Sequence, residues 1–239
     1  MEPRTQHVDL AVSDGSSMRA YVAAPTGGYA VGLMVFQEAF GVNEHIRDVT
    51  ERFAREGYLA IAPELFHRTG PGFEGRYDDF TAVMAHMRPM TTEGMEADFR
   101  ATHEWLRSQN VNAIAAVGYC MGGRAAFVAS TILPLKCAIS YYGGGIAPNQ
   151  FSPAGFLGRA KDVGSPLLLL WGGLDKHITP DQVRAVTDAL RAEGKDFTSI
   201  EFSAADHGFF CDARASYNPK AAAAAWPLTL AFLKTQTAS

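Results

Sequence analysis

The chain is poor in cysteine, with only Cys120, Cys137 and Cys211. So small and odd a set makes no disulfide framework and suits free thiols in a reducing compartment. Long hydrophobic runs are missing too. The longest, Val31 to Phe36 and Pro166 to Trp171, fall far short of the ~20 apolar residues of a membrane-spanning helix. The opening Met1-Glu2-Pro3-Arg4-Thr5 has no apolar h-region, so no signal peptide is expected and a cytoplasmic location is. Charge of one sign never gathers: 21 Lys and Arg face 25 Asp and Glu, a net −4, and the basic residues are scattered. That pattern argues against a nucleic-acid partner or an anionic membrane. No Ser/Gly tract, charge block or low-complexity stretch beyond Ala221 to Ala225 marks a linker, so residues 1–239 are expected to form one domain, as a monomer or homodimer. None of the 7 histidines takes part in His-Glu-x-x-His or another metal-ligand spacing, and neither a metal nor a cofactor is expected.

What is present alternates. Val8–Val12 and Met18–Ala23 flank the turn Ser13-Asp14-Gly15-Ser16 and read as a hairpin. Strands are then expected at 32–36, 58–62, 113–117, 137–141, 166–171 and 197–202, and helices at 43–57, 78–87, 92–109, 124–130, 181–192 and 219–234. In the 92–109 helix, Met95, Phe99, Thr102, Trp105 and Leu106 share one side. The segment from Glu64 to Arg76 is irregular. Strands alternating with helices predict an α/β class with a largely parallel sheet and helices on both faces.

The stretch Gly118-Tyr119-Cys120-Met121-Gly122-Gly123 follows a short apolar strand and opens a small-residue helix. That is the layout of a nucleophile elbow with sulfur in place of the usual oxygen. A nucleophile on so sharp a turn needs neighbours without side chains at minus two and plus two. The turn also aims backbone N–H groups and a helix N-terminus at one point, which suits a thiolate and then an oxyanion. A buried cysteine lying between glycines by chance is the plainer alternative.

In a parallel sheet, working residues lie beyond the carboxyl ends of the strands. Here those are Glu38, Glu64, Cys120, Tyr142, Asp175 and the loop carrying Asp206-His207-Gly208. Thiol, acid and imidazole appear in the chain order of the α/β-hydrolase fold. Cys120 is the candidate nucleophile, His207 the base and then acid, and Asp175 the group that orients the ring. His177 is too close to Asp175 in sequence to compete easily for that carboxylate, while His67 could touch substrate. Glu38 ends a buried strand where the oxyanion-hole loop of this fold lies; the alternative is an acid at a helix N-terminus. The backbone N–H groups of Met121 and Ala39 are the expected oxyanion donors.

Together with Gln37-Glu38-Ala39-Phe40-Gly41, Tyr141-Tyr142-Gly143, Gly172-Gly173-Leu174-Asp175 and Asp206-His207-Gly208-Phe209, the elbow resembles the dienelactone hydrolase (carboxymethylenebutenolidase) family over nearly the whole chain. The resemblance implies an α/β-hydrolase fold, a Cys120-His207-Asp175 triad and cleavage of a small-molecule ester or lactone through a thioacyl-enzyme. It also implies that Glu38 pairs with the resting cysteine and helps form the thiolate when substrate binds. Members that cleave dienelactones hold the substrate carboxylate with two arginines. Here Arg68 and Arg76 lie in the first region, and Arg214 comes late after His207 with Asp212 before it. Tyr142, Arg76 and Arg214 are therefore the candidate substrate contacts, and a preference for neutral esters is expected at least as strongly as dienelactone cleavage. Two other readings use the same sulfur: attack on a neutral phosphotriester, and a redox-sensing thiol with Cys137 or Cys211 as its resolving partner.

Overall fold

The computed structural model of the protein describes residues 2–238. The chain divides into two units, one up to Ala115 and one from Ala116 onward, the division falling inside strand β5 (Ala113–Tyr119). The first unit opens with β1 (Arg4–Ala11) and β2 (Ser17–Ala24) as an antiparallel hairpin. Asp14 closes it by accepting the N–H of Ser16 at 3.0 Å, while Gly15 supplies a φ of +86°. β3 (Val31–Phe36) and β4 (Leu59–Pro63) pair in parallel and β2 pairs antiparallel with β4, so the strand order is β1-β2-β4-β3. Helix α1 (Glu44–Arg55) starts at Asn43, whose side chain accepts the Ile46 N–H, and stops before Gly57 at φ +97°. α2 (Phe80–Met87) and α3 (Thr92–Ser108) follow.

The second unit is parallel throughout, in the order β5-β6-β7-β8, with β6 at Ala138–Tyr141, β7 at Leu167–Gly172 and β8 at Phe197–Phe202. α4 (Met121–Ser130) follows β5, a 3₁₀ turn (Leu157–Asp162) precedes β7, α5 (Pro180–Ala192) joins β7 to β8, and α6 (Pro219–Thr237) ends the chain. β5 and β7 are buried from end to end, which their unbroken apolar runs predict for strands covered on both faces. The register sets Tyr119 beside Tyr141, Tyr141 beside Leu170 and Leu170 beside Ile200. The strands therefore end nearly level, and the loops after β5, β6, β7 and β8 leave from one edge. This is the α/β-hydrolase fold. No helix among the described residues is long and apolar enough to cross a membrane.

The elements differ from the sequence expectation mainly at their ends. α2 begins at Phe80 because the Asp79 side chain caps it, accepting the Ala82 N–H, and α6 runs on to Thr237. In α3, Trp105 is only half-buried, whereas Asp98 and His103 are buried. Asp98 can be buried because Arg68 Nη2 lies 2.9 Å and His67 Nε2 3.0 Å from its carboxylate.

Candidate active site

β5 ends at Tyr119 and α4 begins at Met121, which leaves Cys120 alone to turn the chain. It does so at φ +56° and ψ −116°, a conformation that costs a residue with a side chain about 1–3 kcal/mol. Its N–H donates to the Tyr141 carbonyl (3.0 Å) and its own carbonyl accepts the Gly123 N–H (3.0 Å), so both sides of the turn are pinned. The flanking glycines follow from contact. A Cβ on Gly118 would run into the Gly122 carbonyl, and one on Gly123 would come within 2.6 Å of the Tyr141 oxygen. Strand and helix thus meet backbone to backbone, and the N-terminal turn of α4 opens at the sulfur.

The same close approach joins the loops after β7 and β8. A Cβ on Gly172 would lie 2.7 Å from the Ala205 oxygen, and one on Gly173 would lie 2.6 Å from Ser203 Cα. The Gly173 N–H donates to the Phe202 carbonyl and that of Leu174 to Ala205, each at 2.9 Å, carrying the ladder past the strand ends. Asp175 and His207 meet as a result. His207 Nδ1 lies 2.7 Å from Asp175 Oδ2, and His207 Nε2 lies 3.1 Å from Cys120 Sγ. Asp175 Oδ1 is held separately, accepting the N–H groups of His177 (2.7 Å) and Ile178 (3.0 Å). Asp175 and His207 are buried, while Cys120 is half-buried. Burial by itself would discharge the imidazole. The negative sulfur of Cys120 and the Asp175 carboxylate outweigh burial and push His207 up to about 10. The arrangement can hold a proton on the ring next to an ionised sulfur, and can move that proton to a group bonded at the sulfur's target.

The other expected site residues fall as follows. Met121 is the first residue of α4, directly after the sulfur. In the first unit, Glu38 and Ala39 follow β3 and are both buried; since α1 is capped by Asn43, Glu38 is not the acid of a helix N-terminus. Tyr142, expected to touch substrate, is fully buried at φ +37°, and its ring stands edge-on to His207 at 5.2 Å. Arg76 is exposed and reaches Asp78 at 2.7 Å. Arg214 packs on Gly208, where a Cβ would lie 2.6 Å from its Cζ. His67 is buried against Asp98, its Nε2 3.0 Å from the carboxylate. His177 is exposed, and its ring meets that of His207 edge-on at 5.4 Å. Arg124 escaped the sequence reading: it is a buried guanidinium in the first turn of α4. A lone arginine in a helix otherwise made of small and apolar residues was its signal.

The chain is similar to known proteins over nearly its whole length. A sequence model described as the dienelactone hydrolase family matches residues 18–237. A provisionally named carboxymethylenebutenolidase of Synechocystis sp. is 35% identical over 226 residues, covering 90% of this chain and 91% of its own. Among solved structures, a provisionally named dienelactone hydrolase from Klebsiella pneumoniae matches with a TM-score of 0.84 at 32% identity, over 95% of this chain and 98% of its own. A dienelactone hydrolase-like promiscuous phosphotriesterase from metagenomic libraries shares the fold, with a TM-score of 0.84 at 22% identity over 99% of each chain.

Proposed function

The chain belongs to the dienelactone hydrolase family and is a hydrolase of ester or lactone bonds, and from that premise we propose that it is a single-domain, cysteine-dependent enzyme acting through a thioacyl intermediate. The observation that carries this reading is the continuous line from Asp175 Oδ2 through the His207 ring to Cys120 Sγ, at 2.7 and 3.1 Å. The sulfur attacks the acyl carbon, the acyl C–O bond breaks, and the leaving oxygen takes the proton from His207 Nε2. Water then attacks the thioester while His207 removes its proton, and the carboxylic acid leaves as sulfur departs. Asp175 keeps the ring in one orientation throughout. The N–H of Met121 at the start of α4 is one oxyanion donor. That of Ala39 as the second, and Glu38 as the group that assists thiolate formation, follow from the family pattern.

Neutral esters and lactones are expected as substrates at least as strongly as anionic dienelactones, since Arg76 points its guanidinium at Asp78. Neutral phosphotriesters are a second reading for the same sulfur, motivated by the fold shared with a promiscuous phosphotriesterase. The test is a pre-steady-state burst with an activated aryl ester, followed by steady-state assays of neutral esters, carboxylate-bearing esters, lactones and a phosphotriester. Wild type should show the burst, Cys120→Ala should lose turnover by at least about 10³-fold, and Glu38→Gln should lower turnover. A Cys120→Ala protein that keeps most of its activity sinks the mechanism.

A further inference from the structure

Helix α4 is buried on every side, and one of its ten residues carries a formal charge. That residue is Arg124, 8% exposed. Its Nε finds no acceptor, and no hydrogen bond or ion pair from another described residue reaches the guanidinium. The room it occupies is made by Gly145. At φ +87° that residue carries no Cβ; one built there would lie 2.6 Å from Arg124 Nη1 and 2.8 Å from Ser152 Cβ. A buried guanidinium without a partner is expensive to keep, so its position calls for a negative charge close by. Burial weakens the guanidinium's hold on its proton, and Cys120, one helical turn back, is the charge that opposes this; no carboxylate does.

We propose that Arg124 is a positioning residue of the candidate site: its buried guanidinium and the N-terminus of α4 together hold Cys120 as a thiolate. The inference rests on the reading of Cys120 as the nucleophile and adds a second cation to it. The charged groups around the sulfur then include His207, 3.1 Å away with Asp175 behind its ring and His177 edge-on to it, and Arg124 from the helix side; Glu38 is the acid that the proposed function adds to them. The division of labour is chemical. His207 gives its proton to the leaving group and stays neutral until it takes one from the attacking water, so its charge comes and goes within each turnover. Arg124 cannot give up its proton, so it supplies positive charge at every stage of the cycle. A helix N-terminus and a neighbouring arginine each lower a cysteine's affinity for its proton, as a protonated histidine does.

The experiment follows alkylation of Cys120 by neutral iodoacetamide across pH, read by peptide mass spectrometry, in wild type, Arg124→Met, Arg124→Gln and Arg124→Lys. Both neutral variants should need a pH about one unit higher for half-maximal reactivity, a tenfold loss of rate on the acid side, and Lys should recover most of it. Thermal midpoints should fall little in Arg124→Met, because the cost of burying the guanidinium goes with it and the Cys120 sulfur keeps His207 as a second cation. An alkylation profile identical to wild type overturns the proposal. So does a KM that rises only for carboxylate-bearing esters with the profile unmoved, which would make Arg124 a substrate contact. If Arg124→Met is unstable and Arg124→Gln keeps the wild-type profile, the arginine is a packing residue and the proposal is again overturned. Turnover of Cys120→Ala, measured alongside, reports separately on the hydrolase reading.

Discussion

Asp175 meets His207 with one oxygen only: Oδ2 lies 2.7 Å from Nδ1, while Oδ1 is occupied by the backbone of 177 and 178. The carboxylate is therefore fixed by the loop before it fixes the ring. An amide at this position would still fit, but it would remove the charge and could turn its NH₂ toward Nδ1, favouring the wrong tautomer. Asp175→Asn is expected to lose about 10²–10⁴-fold in turnover of an activated ester with little change in thermal midpoint. A loss below tenfold would mean that the carboxylate does not orient the ring.

The His207 value of about 10 sets two pH dependences. Its folded value lies above the ordinary ~6.5 of an unfolded histidine, so the ring's own stabilising contribution is complete below that pH and is lost as pH rises through about 10. The gap in denaturation midpoint between wild type and His207→Gln should accordingly shrink from pH 7 to pH 10. Activity should track the protonated ring as well. The kcat/KM plateau should extend into the alkaline range and fall near pH 10; a descending limb near pH 6.5 would show an ordinary imidazole instead.

Gly118 is where the elbow is least forgiving, since a Cβ there would collide with the Gly122 carbonyl, which cannot rotate aside. Gly118→Ala should cost about 2–4 kcal/mol in urea denaturation and abolish esterase activity, because only movement of α4 relieves the clash. A variant with wild-type stability would show that the turn is looser than its contacts imply.

The elbow could be read from the chain because its demands are local. Gly118, Cys120 and Gly122 lie within five positions, and steric exclusion dictates their spacing. The order Cys120, Asp175, His207 was legible for another reason: parallel strands send every working residue to the same end. The burial of Arg124 and Asp98 was not legible. A charged residue reads as exposed unless the helix around it is known to be enclosed, and the partners of Asp98 lie 30 and 31 positions away in the irregular segment. The burial of Tyr142 was hidden likewise, because its position after β6 does not reveal that its ring lies edge-on to His207.

That irregular segment is tied down by charge. Arg68 reaches Asp98 at 2.9 Å and Asp14 at 2.7 Å, with His67 on the same buried carboxylate. Removing Asp98 would strand two cationic or polar groups beside α3. Asp98→Ala is expected to cost about 3–5 kcal/mol by chemical denaturation. Its kcat/KM at low temperature should stay within about threefold of wild type, since nothing in the catalytic line is touched. A large fall in kcat/KM at unchanged stability would return His67 to the list of substrate contacts.

The remaining thiols decide whether Cys120 works as a redox sensor. Cys137 is fully buried, and burial pushes it up to about 12, so almost none of it is thiolate near neutrality. Cys211 is fully buried as well. A resolving cysteine has to reach the oxidised sulfur as a nucleophile, which an enclosed thiol does poorly. Iodoacetamide on the native protein at pH 7.5 should therefore modify Cys120 alone, the other two reacting only in denaturant. Peroxide should give sulfenic and then sulfinic acid at Cys120 with no internal disulfide, and activity should fall in step with that oxidation. A disulfide from Cys120 to Cys137 or Cys211, found by peptide mapping under native conditions, would restore the sensor reading.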